Sequence, residues 1–213
     1  MRIGVLGSGP VGQAIGAKLV HLTHDVMLGS RTPEKLREWV TRVGNRARVG
    51  SFPEAAAHGE LVFNCTAGAA SLEVLRLVGA AHLDGKVLVD VANPLDFSQG
   101  VPPTLAVCNT DSLGERIQRA FPAARVVKAL NTMNASVMTD PEALGGGDHH
   151  VFVCGNDAGA KAQVTALLRA FGWRNILDLG DITGARATEM LLPIWLRLWG
   201  VLGTPRFNLK VVQ

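Results

Sequence analysis

The run Arg2-Ile3-Gly4-Val5-Leu6 is a short apolar strand pattern that ends in Gly7-Ser8-Gly9-Pro10-Val11-Gly12, a Gly-x-Gly-x-x-Gly, and a helical pattern opens directly after it, from Gln13 to Leu22. Such a run could be a structural glycine turn. The strand before it and the helix after it are the context that a dinucleotide pyrophosphate requires. Gly7 then allows the tight turn, Gly9 lets the backbone approach the phosphates, and Gly12 lets the helix pack close to the strand. The unpaired N–H groups at the helix N-terminus face the anion, which makes Ser8, Pro10 and Val11 candidate cofactor-binding residues. A chain that begins this way is committed to a strand–turn–helix unit of a nucleotide-binding α/β fold.

The next strand pattern, His24 to Gly29, decides which dinucleotide fits. NAD sites place Asp or Glu about 20 residues beyond the glycines, on the ribose 2′-hydroxyl. This chain has Ser30-Arg31-Thr32 there, and Asp25 stands at the wrong end of the strand. A carboxylate would repel a 2′-phosphate, whereas a hydroxyl and a guanidinium bind one. The pattern therefore selects NADP(H), with Ser30, Arg31, Thr32 and Lys35 as candidate ligands. Thr32 and Pro33 are also expected to cap and open the next helix.

Strand and helix patterns alternate along all 213 residues. Helices are expected at 33–43, 53–58 (behind a Ser51/Glu54 capping box), 70–81, 113–121 (capped by Ser112 with Glu115), 158–171 and 185–199. Strands are expected at 48–50, 61–65, 86–91, 125–129, 151–154 and 175–179. The strands lack period-two alternation, as expected for a mainly parallel sheet covered on both faces. The expected fold is a Rossmann-type, doubly wound α/β domain over residues 1–140, with a small part over 141–213 completing the sheet and the site. Three consecutive glycines mark 144–150 as a candidate mobile loop beside the site.

The net charge of +3 is slight and the cations are scattered, which argues against a nucleic-acid partner. Cys65, Cys108 and Cys154 lie far apart with no metal-binding spacing, and an odd number of thiols suits a reducing, cytoplasmic setting. No run approaches a membrane span, and the glycine-broken N-terminus reads as a strand rather than a signal peptide.

In such sheets ligands bind beyond the carboxyl ends of the strands. The segments expected there are Thr66-Ala67-Gly68, Ala92-Asn93-Pro94-Leu95 and Asn131-Thr132-Met133-Asn134. Thr66, Ala67, Ala92, Asn93 and Pro94 are candidate cofactor ligands. Asn93, Asn131 and Thr132 are candidate orienting residues. None is a ready acid, and the chain contains no tyrosine, so a Tyr/Lys dehydrogenase mechanism is excluded. Lys128 lies inside its strand. His149 and His150 could supply at most one group to the site if the glycine loop folds inward. In the last helix Arg186, Glu189 and Arg197 form one stripe and an apolar arc from Met190 to Trp199 fills the rest, wider than one face requires. That arc is expected to be buried, in a homodimer by preference, with a kink at Pro193, and with Trp195 and Trp199 as core or interface rather than as a cofactor platform.

Together Gly7 to Gly12, Gly29-Ser30-Arg31, Val127 to Thr132, Val151 to Asp157 and Pro193 to Trp199 resemble the coenzyme-F420-dependent NADP oxidoreductases, and also the NADPH–flavin oxidoreductase domain of the STEAP metalloreductases. The resemblance implies NADPH on the glycine loop, Ser30 and Arg31 on its 2′-phosphate, and a tricyclic acceptor stacked on the nicotinamide. F420-reducing members tend to have His-Thr-x-Pro where this chain has Asn131-Thr132-Met133-Asn134, and STEAP-like domains have Asn at the first position. The expected activity is hydride transfer between NADPH and coenzyme F420, FMN or FAD. Two alternatives are an imine reductase resembling pyrroline-5-carboxylate reductase, whose longer helical dimerisation region this chain lacks, and a non-catalytic NADP(H)-sensing domain.

Overall fold

The computed structural model describes residues 1–213. Ten strands form: β1 (Arg2–Leu6), β2 (Asp25–Gly29), β3 (Ala47–Gly50), β4 (Leu61–Asn64), β5 (Val87–Asp90), β6 (Leu95–Asp96), β7 (Thr104–Leu105), β8 (Arg125–Ala129), β9 (His150–Cys154) and β10 (Asn175–Asp178). Nine α-helices connect them: α1 (Pro10–His21), α2 (Arg37–Val43), α3 (Phe52–His58), α4 (Gly68–Val78), α5 (Leu113–Ala120), α6 (Ala135–Thr139), α7 (Ala158–Phe171), α8 (Gly184–Met190) and α9 (Leu192–Leu202). Eight strands make one sheet in the order β10-β9-β8-β5-β4-β1-β2-β3, and β6 pairs with β7 in a separate antiparallel hairpin. This is a Rossmann-like doubly wound α/β fold. Its strand order reverses at β1, and the crevice opens beyond the carboxyl ends of β1 and β4.

The continuous apolar strand runs are explained by two cores, one on each face. Ile3, Val5, Phe63, Val89 and Val127 pack under α1, α2, α6 and α7. Leu6, Val62, Leu88 and Val126 pack under α3, α4, α5 and α8. Alternate residues of each strand serve opposite cores, so no alternation survives in the sequence.

The sheet departs from uniform parallel pairing at one end. β9 runs antiparallel to β8, and β10 is parallel to β9. Three local features also depart from expectation. The last helix is not one kinked rod: it breaks at Leu191 into α8 and α9, and Pro193 sits in the first turn of α9, where its missing N–H costs nothing. The hairpin β6–β7 and its loop have no periodic signal and were not anticipated. The glycines 145–147, all with positive φ, form a tight turn held down by the C-terminal segment: His150 N donates to Leu209 O at 2.9 Å, and Asn208 Nδ2 donates to His150 O at 2.9 Å. The turn lines none of the cavities at the strand ends, so the expected mobile site loop is not there. No helix is long and apolar enough to cross a membrane.

Candidate functional site

The glycine turn has the geometry its sequence requires. Gly7 has φ +115°, and a Cβ there would lie 2.5 Å from Cys65 O. A Cβ on Gly12 would lie 1.8 Å from Gly7 O, so the turn and α1 can close only with glycine at both positions. Gly9 differs: a Cβ there would meet nothing within 4 Å. It faces open space, and that space is where a ligand's backbone would come close. α1 starts at Pro10 with Gly9 as its cap and Gln13 N donating to Gly9 O, which leaves the Val11 and Gly12 amides without helical partners. Gln13 Nε2 pins the turn through Ser8 O at 2.8 Å.

A groove of about 490 Å³ runs from this turn to the end of β2, lined by Gly7, Ser8, Gly9, Ser30, Arg31 and Thr32 on one side. Ala70, Glu73, Val74 and Leu77 of α4 form the other side, and no sequence signal marked them. Ser30 is buried. Its Oγ bonds Ser8 Oγ at 3.1 Å and accepts from Thr32 N at 3.1 Å. Thr32 holds the expected cap position, but its own side chain caps nothing. Arg31 is exposed and makes no ion pair or hydrogen bond within the chain, so its guanidinium is free for an anion. Lys35 is exposed on the following turn and does not line the groove.

The groove continues through Cys65, Thr66 and Ala67 into a second cavity of about 290 Å³, lined also by Val11, Ala92, Asn93, Leu95 and Phe97. Asn93 and Asn131 meet at its end. Asn93 Nδ2 donates to Asn131 O at 2.8 Å, and Asn131 Nδ2 donates to Asn93 Oδ1 at 3.0 Å. Leu130, just before Asn131, is a buried non-glycine residue with φ +65°, a strained conformation of the kind that clusters at ligand sites. Thr132 is buried but lines no cavity, and neither do Pro10 and Pro94, which only shape their turns. Burial pushes the Cys65 thiol far above its usual range and the Cys154 thiol up to about 12, so both stay protonated.

Beyond Asn93 lies a larger cavity, about 760 Å³. It shares Asn93, Leu95 and Phe97 with its neighbour and is walled by Met133, by Pro102 of the β6–β7 loop, and by Trp195 and Trp199 of α9. Trp195 stacks on Phe207 with ring centroids 5.3 Å apart. The two tryptophans thus wall a cavity instead of filling a core. Of the α9 residues only Leu192 is buried, so within a single chain the apolar arc is largely open. Three cavities therefore form one trough along the strand ends, from Arg31 to α9.

Both histidines of the glycine loop lie elsewhere. His149 is buried, with Nε2 bonded to Pro141 O at 3.0 Å and its ring edge-on to Trp173, and His150 Nδ1 accepts from Val211 N at 3.2 Å.

Residues 2–94 match the family described as NADP oxidoreductase, coenzyme F420-dependent. A solved protein from Arthrobacter sp. FB24, described as a candidate F420-dependent NADP reductase, is 53% identical, superposes with a TM-score of 0.97 and covers 100% of both chains. The chain belongs to the coenzyme-F420-dependent NADP oxidoreductase family. The F420-dependent NADP reductase of Methanocaldococcus jannaschii is 26% identical over 93% of this chain and 92% of its own length. Metalloreductase STEAP3 of Rattus norvegicus is 31% identical over 91% of this chain, but the chain spans only 38% of that protein. A reductive aminase from Aspergillus terreus solved with NADPH shares the fold at 18% identity and a TM-score of 0.68.

The protein is an NADP-dependent oxidoreductase, and the trough fits that cofactor. The oxidoreductase has open space at Gly9, unpartnered amides at α1 and a free guanidinium at Arg31, the three features that a pyrophosphate and a 2′-phosphate need.

One feature of the oxidoreductase escaped sequence reasoning entirely: its buried charges. Lys128, Asp90 and Glu189 are in contact with almost no solvent exposure. Glu189, assigned by spacing to a polar stripe, is in fact buried. Arg186 of the same stripe pairs with Glu115, and only Arg197 is exposed and unpaired. A lysine inside an apolar strand and an Asp at the end of another were the only available signals.

Proposed function

We propose that the oxidoreductase moves hydride between NADP(H), lying from Arg31 to Asn93, and a planar deazaflavin or flavin acceptor, coenzyme F420, FMN or FAD, seated in the large apolar cavity. The observation that carries this reading is that cavity: aromatic and aliphatic walls adjoin the proposed nicotinamide end of the trough at Asn93, Leu95 and Phe97. Bound NADPH supplies a hydride there, and a ring system that accepts it draws its proton from solvent.

The chain's own residues bind, orient and exclude water. Arg31 and the α1 amides hold phosphates. The Asn93–Asn131 pair sets the floor on which the two rings meet, and Phe97, Met133, Trp195 and Trp199 keep that junction apolar. No proton donor of suitable strength lines either cavity. Lys128, the one buried ammonium, has its donors committed to Asp90, Glu189 and Ala92 O. Imine or ketone reduction requires such a donor, and this absence supports the ring acceptor over the imine reductase alternative. The full-length match to an F420-dependent NADP reductase supports a deazaflavin.

The test is NADPH oxidation followed spectroscopically with coenzyme F420, FMN, FAD and riboflavin in turn. Turnover with at least one is expected. Inactivity with all four, together with unimpaired NADPH binding, would reject the ring-acceptor reading.

A further inference from the structure

Beneath Ala92 and Asn93 lies the ionic cluster that hydride transfer itself does not use. Lys128 Nζ donates to Asp90 Oδ2 at 2.7 Å, to Ala92 O at 2.5 Å and pairs with Glu189 Oε1 at 2.8 Å, so three acceptors match its three donors. The other Asp90 oxygen accepts from Asn64 Nδ2 at 2.8 Å and from Ala92 N at 3.2 Å. Ala92 is therefore gripped at its N–H by Asp90 and at its C=O by Lys128. Glu189 accepts from the first amides of α5, Leu113 N at 2.8 Å and Gly114 N at 3.1 Å. It belongs to α8, which leads through the break at Leu191 into α9, the wall of the large cavity.

Burial by itself would lower the Lys128 ammonium, but Asp90 and Glu189 outweigh it and hold it above the usual lysine range. The cluster stays charged. Buried ion pairs of this kind rarely stabilise a fold more than well-packed apolar side chains would. An apolar residue at 128 could fill the same volume, but it could not hold Ala92 O and Glu189 together.

We propose that Lys128 is a positioning residue, fixing the Ala92–Asn93 floor relative to the α9 wall through one ammonium and so setting how the nicotinamide meets its acceptor. This rests on the hydride-transfer reading above for its purpose, but its structural claim can be tested without any acceptor.

The experiment compares two ligands on wild type and Lys128→Met. One is 2′,5′-ADP, which reaches only the Arg31 end, and the other is NADPH, which also reaches Ala92 and Asn93. Affinity for 2′,5′-ADP should hold within about twofold while NADPH loses about tenfold, the order expected for misplacing groups fixed by charged hydrogen bonds. Single-turnover hydride transfer, with the best acceptor found, should fall further than NADPH affinity does. Equal losses for both ligands would reduce the cluster to a structural role, and unchanged affinity for both would remove it from the site; either overturns the proposal. Lys128→Met alone leaves two unpaired buried carboxylates. If circular dichroism shows it unfolded, the triple variant Lys128→Met, Asp90→Asn, Glu189→Gln removes the charges together and is read the same way. A wild type that binds NADPH yet turns over no acceptor overturns the hydride-transfer reading alone, because the ligand comparison does not depend on it.

Discussion

Asn93 and Asn131 hold each other across the carboxyl ends of β5 and β8: each side-chain amide donates to the other residue, at 2.8 and 3.0 Å. The two residues are 38 positions apart, and on the proposed reading they close the nicotinamide end of the trough. An orienting role predicts that Asn131→Ala slows single-turnover hydride transfer by about 10- to 100-fold, the scale of a small misplacement of reacting groups, while NADPH affinity changes much less. A variant that loses affinity and rate in equal proportion would contradict the orienting role.

Arg31 is the unpaired cation at the other end. Arg31→Ala should weaken NADPH binding about tenfold, the low end for a charge-assisted hydrogen bond because the group is exposed. NADH, without the 2′-phosphate, should bind the two proteins alike. Titration of both nucleotides decides it, and parallel losses would sink the assignment.

The glycines of the turn should separate by their surroundings. Gly9→Val adds a side chain to open space, so the protein should fold and fail to bind dinucleotide. Gly12→Ala places a Cβ against Gly7 O, so it should lose thermal stability as well as binding. A folded Gly9→Val protein with native NADPH affinity would show that no phosphate passes there.

The open apolar surface of α9 predicts self-association. Ile194, Trp199, Val201 and Leu202 of that helix are exposed. Light scattering at micromolar concentration should report a dimer that Val201→Lys with Ile194→Glu separates. A wild-type monomer would reject this.

Asp111 carries a pH dependence of stability. Partial burial would raise its carboxyl, but Arg116 and Arg119, bonded at 2.9 Å, hold it down at about 2. A depressed carboxyl stabilises the fold above its unfolded value of 3.8, and the effect is lost as pH falls through about 2. The arginines are half exposed, so the contribution is about 1 kcal/mol after solvent screening. Asp111→Asn should therefore lower the melting temperature at neutral pH and converge on wild type as the pH falls below about 2. A difference that persists unchanged into acid would exclude the ion pairs as its source.

The glycine turn, the Ser51 and Ser112 caps and the strand positions were legible in the sequence because each depends on neighbours a few residues away. The C-terminal third was less so. The segment 144–150 reads as a mobile loop because of its glycines, but its end at His150 is tied to Asn208 and Leu209, some 60 residues on. Trp195 reads as core or interface because periodicity reports that a side chain is apolar, not whether it faces packed atoms or a cavity.

By itself the sequence determined the Rossmann-like frame, the glycine turn that opens it and the preference for NADP(H), all set by local sterics, helix-terminal amides and the sign of one charge. Only the tertiary structure decided where the large apolar cavity lies, that the Met190–Trp199 arc is a wall and not a core, and that Lys128, Asp90 and Glu189 form one buried unit. Those properties come from Glu189 meeting Leu113 across 76 residues and from strands that are neighbours only in the sheet. Such contacts are made by packing two layers of helices onto one sheet, and they leave no periodic trace in the chain.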